Sequence, residues 1–164
     1  MEKGLRILVV DDERAIRRFL RASLSTHGHT IYEAASGAEA LAVIAEQRPD
    51  MVFLDLGLPD ADGIAIIRQL REWSSVPVII LSVRDQENDK IQALDAGADD
   101  YLTKPFGIGE LMARMRGVLR RSTLAASGEP VIDRAGLHID FAHRLVTLSD
   151  VELSLTPTEY DILR

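Results

Sequence analysis

Cysteine is absent from the 164 residues, which removes disulfides, thiolate zinc sites and thiol nucleophiles from consideration. No apolar run approaches the roughly 18 residues of a spanning helix. The opening Met1-Glu2-Lys3-Gly4 leads straight into a short strand-like run instead of a signal-peptide stretch, so a soluble, cytoplasmic chain is expected. Positive charge is scarce as well: the formal net charge is −7, with 16 basic and 19 acidic residues over 1–121 and 3 and 7 over 122–164. Neither part has the basic footprint of a nucleic-acid binder. His27, His29, His138 and His143 are scattered without metal-ligand spacing. What stays open is a hard cation held by carboxylates. With 46% apolar and 27% charged residues, the chain can bury one sizeable core with a small addition, and simple disorder is excluded.

Short apolar runs alternate with helix-period stretches. Leu5-Arg6-Ile7-Leu8-Val9-Val10 reads as a strand, and Ala15, Ile16, Phe19, Leu20 and Leu24 as the apolar stripe of a helix. The pattern repeats with strands near 29–35, 50–55, 76–82 and 99–103 and helices near 37–47, 63–73, 86–96 and 107–121. Five strand–helix units imply an α/β fold, a parallel sheet covered on both faces. Gly28, Pro49 and Gly97 fall where helices should stop, and Ser36 and Asp85 are placed to cap the helices that follow. Trp73 is expected to pack at the end of the sheet away from the site, and Met112 and Met115 to fill core or interface.

Beyond Arg121 the chain turns small and polar, so 122–130 reads as a linker after a domain spanning 1–121. Short strands are expected at 137–141, 144–148 and 151–155. Thr156-Pro157-Thr158-Glu159 has the form of a capped helix start. Only five residues follow it, so 131–164 is expected to be an incomplete second domain.

In a parallel sheet the loops at the carboxyl ends of the strands converge on one crevice. The first strand ends in Asp11-Asp12, the third in Asp55, the fourth in Ser82, and the fifth leads to Lys104-Pro105. Three carboxylates gathered there repel one another unless a cation neutralises them. Mg²⁺ suits such a site because it takes oxygen ligands and keeps open positions for water or phosphate. With Lys104 beside it, the cluster is suited to phosphoryl transfer, and Asp55, alone at the end of a central strand, is the candidate nucleophile. Taken alone, Asp11-Asp12 would as readily cap a helix, Lys104-Pro105 form a turn and Tyr101 serve as a core tyrosine. It is their joint register that carries the reading.

This order, Asp11-Asp12, Asp55, Ser82, Tyr101 and Lys104-Pro105, resembles the receiver domain of bacterial two-component response regulators over about residues 4–121. Leu155-Thr156-Pro157-Thr158-Glu159-Tyr160-Asp161-Ile162-Leu163 is similar to the opening of the winged-helix effector domain of the OmpR/PhoB class. Within that class, Ala15-Ile16-Arg17-Arg18-Phe19-Leu20-Arg21, Asp55-Leu56-Gly57-Leu58-Pro59-Asp60 and Lys104-Pro105-Phe106-Gly107-Ile108-Gly109-Glu110-Leu111 look most like the Kdp potassium-transport regulators.

The resemblance implies a flavodoxin-like (βα)5 receiver of sheet order 2-1-3-4-5, followed by a winged-helix fragment with a small antiparallel sheet. It further implies that Asp55 accepts a phosphoryl group from a sensor histidine kinase. Asp12, Asp55 and the Gly57 carbonyl would hold Mg²⁺, with Asp11 acting largely through water. Lys104 would pair with the phosphoryl group, Ser82 would hydrogen-bond it, and Tyr101 would turn inward behind Ser82, with Pro105 part of the switch. Gly57 and Arg84 flank the path of attacking water and would tune the lifetime of the acyl phosphate.

On the last helix of that domain Glu110, Arg114 and Arg121 share a face. In the resembled class such residues pair across a homodimer, so Lys90 with Glu110 and Asp100 with Arg114 are expected to do so, giving a face made of the fourth helix, fifth strand and fifth helix. The implied role is a transcriptional switch, not a turnover enzyme, with slow autodephosphorylation and with DNA contacted only by the full-length protein. A haloacid-dehalogenase-like phosphatase would need a second aspartate two residues after the first, where Gly57 stands. A flavin protein would need a Ser/Thr-rich phosphate loop, which is missing.

Overall fold

The computed structural model describes residues 4–126, 132–134, 136–140, 145–149 and 151–153. Its strands β1 (Arg6–Val10), β2 (Thr30–Ala34), β3 (Met51–Leu54), β4 (Val78–Ser82) and β5 (Asp100–Thr103) alternate with α1 (Arg14–Ser25), α2 (Gly37–Gln47), α3 (Gly63–Arg71), α4 (Glu87–Ala96) and α5 (Ile108–Ala126). All four pairings are parallel and the order is β2-β1-β3-β4-β5. This is the receiver order expected above.

Alternation along each strand divides the core in two. Leu8, Val10, Val52, Leu54, Val78 and Ile80 pack with Ala40, Ile44, Ile67, Leu70 and Ala93 of α2, α3 and α4. Ile7, Val9, Met51, Phe53, Ile79 and Leu81 pack with Leu20, Leu24, Leu111, Met115 and Val118 of α1 and α5. β3 and β4 are buried along their whole length, which explains why they are apolar throughout. Among the described residues, no helix is long and apolar enough to cross a membrane.

Ser36 caps α2 by accepting from the Glu39 N–H at 3.2 Å, and Gly97 closes α4 in the left-handed conformation. Asp85 does not cap α4: the helix begins at Glu87, so Gln86 holds the cap position, without a side-chain bond, and Asp85 lies one residue too early. Trp73, just past α3, is half exposed instead of packed. Met115 is buried, and Met112 packs against the core that α1 and α5 share. α5 continues five residues beyond Arg121 into the expected linker. Ser122-Thr123-Leu124-Ala125-Ala126 contains neither glycine nor proline to stop it.

A separate antiparallel sheet has the order β6-β7-β8-β9, with β6 at Ile132–Arg134, β7 at Leu137–Asp140, β8 at Leu145–Leu148 and β9 at Val151–Glu152. The three expected strands are there, with β6 added. A run of only three residues gives too little period to read from sequence. The expected helix start at Thr156 lies outside the described residues.

Arg71 ties the bottom of the parallel sheet together. Its guanidinium donates to Gly97 O at 2.8 and 3.0 Å, to Val76 O at 2.7 Å and to Ser74 O at 3.2 Å, and pairs with Asp99 at 3.2 Å. The Asp99 carboxylate also accepts from the Val78 N–H at 2.9 Å. Arg71→Met would strip half-buried carbonyls and the largely buried Asp99 carboxylate of their common donor. We expect a loss of about 3 kcal/mol in urea unfolding. Arg71→Lys should recover only part of it, because an ammonium cannot span the planar fork.

Candidate functional site

The sheet ladder runs one residue past the strands and thereby aims the site. Asp11 N–H donates to Ala34 O at 3.1 Å, Asp55 N–H to Val10 O at 2.9 Å and Lys104 N–H to Ser82 O at 2.8 Å. β1 and β3 are neighbours although β2 lies between them in sequence, so the switch point of the strand order falls where Asp11, Asp12 and Asp55 emerge. Ligand atoms of these three carboxylates lie within 4.8 Å of one another. Asp11 and Asp55 are 2% and 8% exposed, whereas Asp12 faces solvent.

Lys104 Nζ is 2.8 Å from Asp11 Oδ2 and 3.5 Å from Asp55 Oδ2, and the Lys104-Pro105 bond is cis. One ammonium therefore serves two buried carboxylates and sits closer to Asp11. Burial pushes the Asp55 carboxyl above its ordinary range. Lys104 opposes this, the Asp11 charge adds to it, and the Gly57 N–H, 3.3 Å from Asp55 Oδ1, pulls back weakly. Burial also works against the Lys104 ammonium, but the hydrogen bond and charge of Asp11, helped by Asp55 and Glu13, outweigh it and raise its pKa. A pocket with three carboxylates and one ammonium is short of positive charge, and its donors are all hard oxygens. That donor set fits Mg²⁺.

Ser82, 1% exposed, ends β4, and its Oγ accepts from the Arg84 N–H at 3.2 Å. Tyr101 is turned inward, and its hydroxyl donates to Arg84 O. Burial raises the phenol's pKa against the pull of Ser82. Arg84 thus meets two of the expected switch residues, Ser82 and Tyr101, through its backbone, and its guanidinium reaches Asp62 at 3.2 Å. Gly57 is exposed, and a Cβ there would meet nothing within 4 Å.

On the expected dimer face, Lys90 Nζ lies 6.0 Å from the centre of the Tyr101 ring. Arg114 reaches Asp100 at 3.3 Å and Glu110 at 3.8 Å within the same chain, and Arg121 donates to Asp99 O at 3.2 Å. Within one chain, then, Asp100 and Arg114 are already partners.

Three residues beside the site escaped the sequence reading. Asp62 Oδ1 caps α3 by accepting from the Ile64 N–H at 2.9 Å, while its other oxygen holds Arg84. Arg17 donates to the backbone oxygen of Asp11 at 2.7 Å. Asp60 accepts from Gly37 and Ala38 N–H at 2.8 and 3.0 Å, so the loop after β3 caps α2. An Asp just before an apolar helix is a cap signal, and Asp62 could have been found that way. Asp60 and Arg17 act on distant backbone and leave no local signal.

The amides of Gly37 and Ala38 hold the Asp60 carboxyl below the usual carboxylate range. A depressed pKa stabilises the fold above the unfolded value of about 3.9 and loses that effect as pH falls toward the folded one. Asp60→Ala is therefore expected to lower the thermal midpoint at pH 7, with the gap to the unaltered chain closing as the pH drops below about 4.

A doubly wound parallel sheet carrying an acidic triad and a lysine at its switch point defines a receiver. The chain belongs to the response regulator receiver family, whose sequence model matches residues 7–116. Among its relatives, the KDP operon transcriptional regulatory protein KdpE of Escherichia coli K12 is 51% identical over 157 residues, which cover 96% of this chain and 70% of that protein. The transcriptional regulatory protein KdpE of Mycobacterium tuberculosis H37Rv is 50% identical over 158 residues, with the same coverages. The BeF3-activated N-terminal receiver domain of Klebsiella pneumoniae RstA superposes with a TM-score of 0.68 at 34% identity, over 70% of this chain and 98% of that one. The protein is a response regulator of a two-component system, of the kind that regulates transcription.

Proposed function

We propose that Asp55 is the phosphoacceptor of this response regulator. The observation that carries the reading is a buried Asp55 carboxylate that shares one pocket with Asp11, Asp12 and the Lys104 ammonium. An Asp55 oxygen attacks the phosphorus of a phosphohistidine on a sensor kinase. A P–O bond forms, the P–N bond breaks, and the imidazole leaves with a proton. Asp12, Asp55 and the Gly57 carbonyl would hold Mg²⁺, with Asp11 acting largely through water. The ion supplies charge neutralisation at the phosphoryl oxygens. Lys104, now held by two carboxylates, turns to the phosphoryl group as its nearest new anion. Ser82 exchanges its bond from the Arg84 N–H for one to a phosphoryl oxygen, with Tyr101 packed behind it and Pro105 following Lys104. Gly57 and Arg84 set how readily water reaches the acyl phosphate.

The output is a homodimer through α4, β5 and α5. Lys90, Asp100, Glu110, Arg114 and Arg121 line that face, and Arg114 would exchange its partner within the chain for Asp100 of a second copy. The receiver ends with α5 at Ala126, a short linker follows, and 131–164 belongs to a winged-helix DNA-binding domain of the OmpR/PhoB class. We place the protein in the cytoplasm, as a switch instead of a turnover enzyme. The KDP operon in the name of the Escherichia coli relative, together with the resemblance to the Kdp potassium-transport regulators, supports a potassium-transport operon as target.

Intact mass after incubation with phosphoramidate tests the reading. One added phosphoryl group, present with Mg²⁺ and absent with EDTA, is the expected result. No adduct, together with no response to beryllium fluoride, would overturn it.

A further inference from the structure

We propose that α1 and the end of β2 form a second site, an anion-binding groove that takes a small pyrophosphate-bearing molecule. Arg14, Arg17, Arg18 and Arg21 occupy the first two turns of α1 and line an open groove of about 410 Å³, against Ala34 and Ala35. That volume falls in the range of small-ligand sites. The lining also holds two carboxylates, both already engaged. Glu33 is shared between Arg17 at 3.3 Å and Arg21 at 2.7 Å, and Glu39 accepts from the Ala35 N–H at 3.1 Å. Arg14 and Arg18 are exposed and have no carboxylate partner among the described residues.

The helix itself opposes this arrangement. Its first turn holds no acidic residue, and Glu13 at the cap makes no side-chain bond, so Arg14 and Arg17 stand at the positive end of the helix dipole with Arg18 and Arg21 in the turn that follows. They do so in a chain whose net charge is −7. Glu33 compensates Arg17 and Arg21, but Arg14 and Arg18 have no such partner among the described residues, and an anion in the groove would supply it.

The chemistry of the lining selects the ligand. Guanidinium forks match phosphate oxygens in pairs. Four arginines against two carboxylates leave an excess of positive charge that a polyanion fits better than a single carboxylate does. The groove is lined by arginine, glutamate and alanine, with no aromatic or large aliphatic side chain among them. It also has no ring on which a base could stack, so recognition rests on the phosphates.

The test is a titration of the whole chain with inorganic pyrophosphate in metal-free buffer, followed by NMR at backbone amides and arginine Nε–H groups. Saturable shifts at Ala34, Ala35, Arg14 and Arg18, with Kd on the order of 1 mM or tighter, are expected. An Arg14→Gln, Arg18→Gln double variant should bind at least about tenfold more weakly, with its thermal midpoint at or slightly above that of the unaltered chain and its labelling by phosphoramidate unchanged. Arg17 is left in place because it holds the Asp11 backbone. Absence of saturable shifts, shifts confined to the acidic pocket, or equal binding by the double variant would overturn the proposal. So would tighter binding of an oligoglutamate peptide than of pyrophosphate at equal ionic strength. Labelling at Asp55 is read separately, so failure of the groove and failure of the receiver chemistry are distinguishable.

Discussion

An Asp55→Asn chain is expected to take up no phosphoryl group from phosphoramidate, while its unfolding midpoint stays at or above that of the unaltered chain. The amide keeps the size of the carboxylate but has no anionic oxygen to attack phosphorus. Removing one of three clustered carboxylates also relieves repulsion that Lys104 alone does not cancel, since its Nζ lies 2.8 Å from Asp11 and 3.5 Å from Asp55. Intact mass and a thermal melt, recorded on the same samples, separate the two effects. Persistent labelling of the variant would move the acceptor to another residue. A large loss of stability would mean that the Asp55–Lys104 contact holds the fold together instead of serving chemistry.

The second large effect is expected at a residue that carries no chemistry. Gly63 opens α3 directly beneath the acceptor. A Cβ there would stand 2.7 Å from the Asp55 backbone oxygen and 2.8 Å from Leu56 Cα. Both are main-chain atoms, so neither can rotate away as a side chain would. Gly63→Ala should cost about 1–3 kcal/mol in urea unfolding and should also slow phosphoryl uptake, because the backbone that must yield is the one that positions Asp55. Gly109→Ala is the control. A Cβ at Gly109, in the first turn of α5, meets nothing within 4 Å, so that change should be neutral or slightly stabilising. Equal unfolding midpoints for the two variants would show that the loop after β3 has slack the structure does not display.

These two positions mark how far the sequence could be read. Asp55 stands at the end of a four-residue apolar run, and any parallel sheet puts such a residue in the crevice. Asp11, Asp12, Ser82 and Lys104 were placed by the same reasoning. Gly63 looked like an ordinary helix start, because the atoms it must avoid belong to a strand end eight residues earlier. α2 was legible from end to end, since its cap and its period agree. α4 was misread by one residue at its start, where Asp85 and Gln86 compete for the cap on local grounds alone. β6 was missed because three residues do not establish a period.

What the sequence by itself determined is the alternation of strands and helices, the two-sided burial of β3 and β4, and the set of groups delivered to one edge of the sheet. Backbone periodicity is a local property, and a strand end is a strand end whatever lies beside it. Tertiary structure alone decided which of those groups touch. Lys104 leans toward Asp11, 93 residues away, more than toward Asp55. Asp60 caps a helix 23 residues before it. Arg17 braces the backbone of Asp11, and four arginines of one helix meet the end of β2 to make a groove. Such contacts depend on the side-chain geometry of elements brought together from distant parts of the chain, and a linear pattern does not record that geometry.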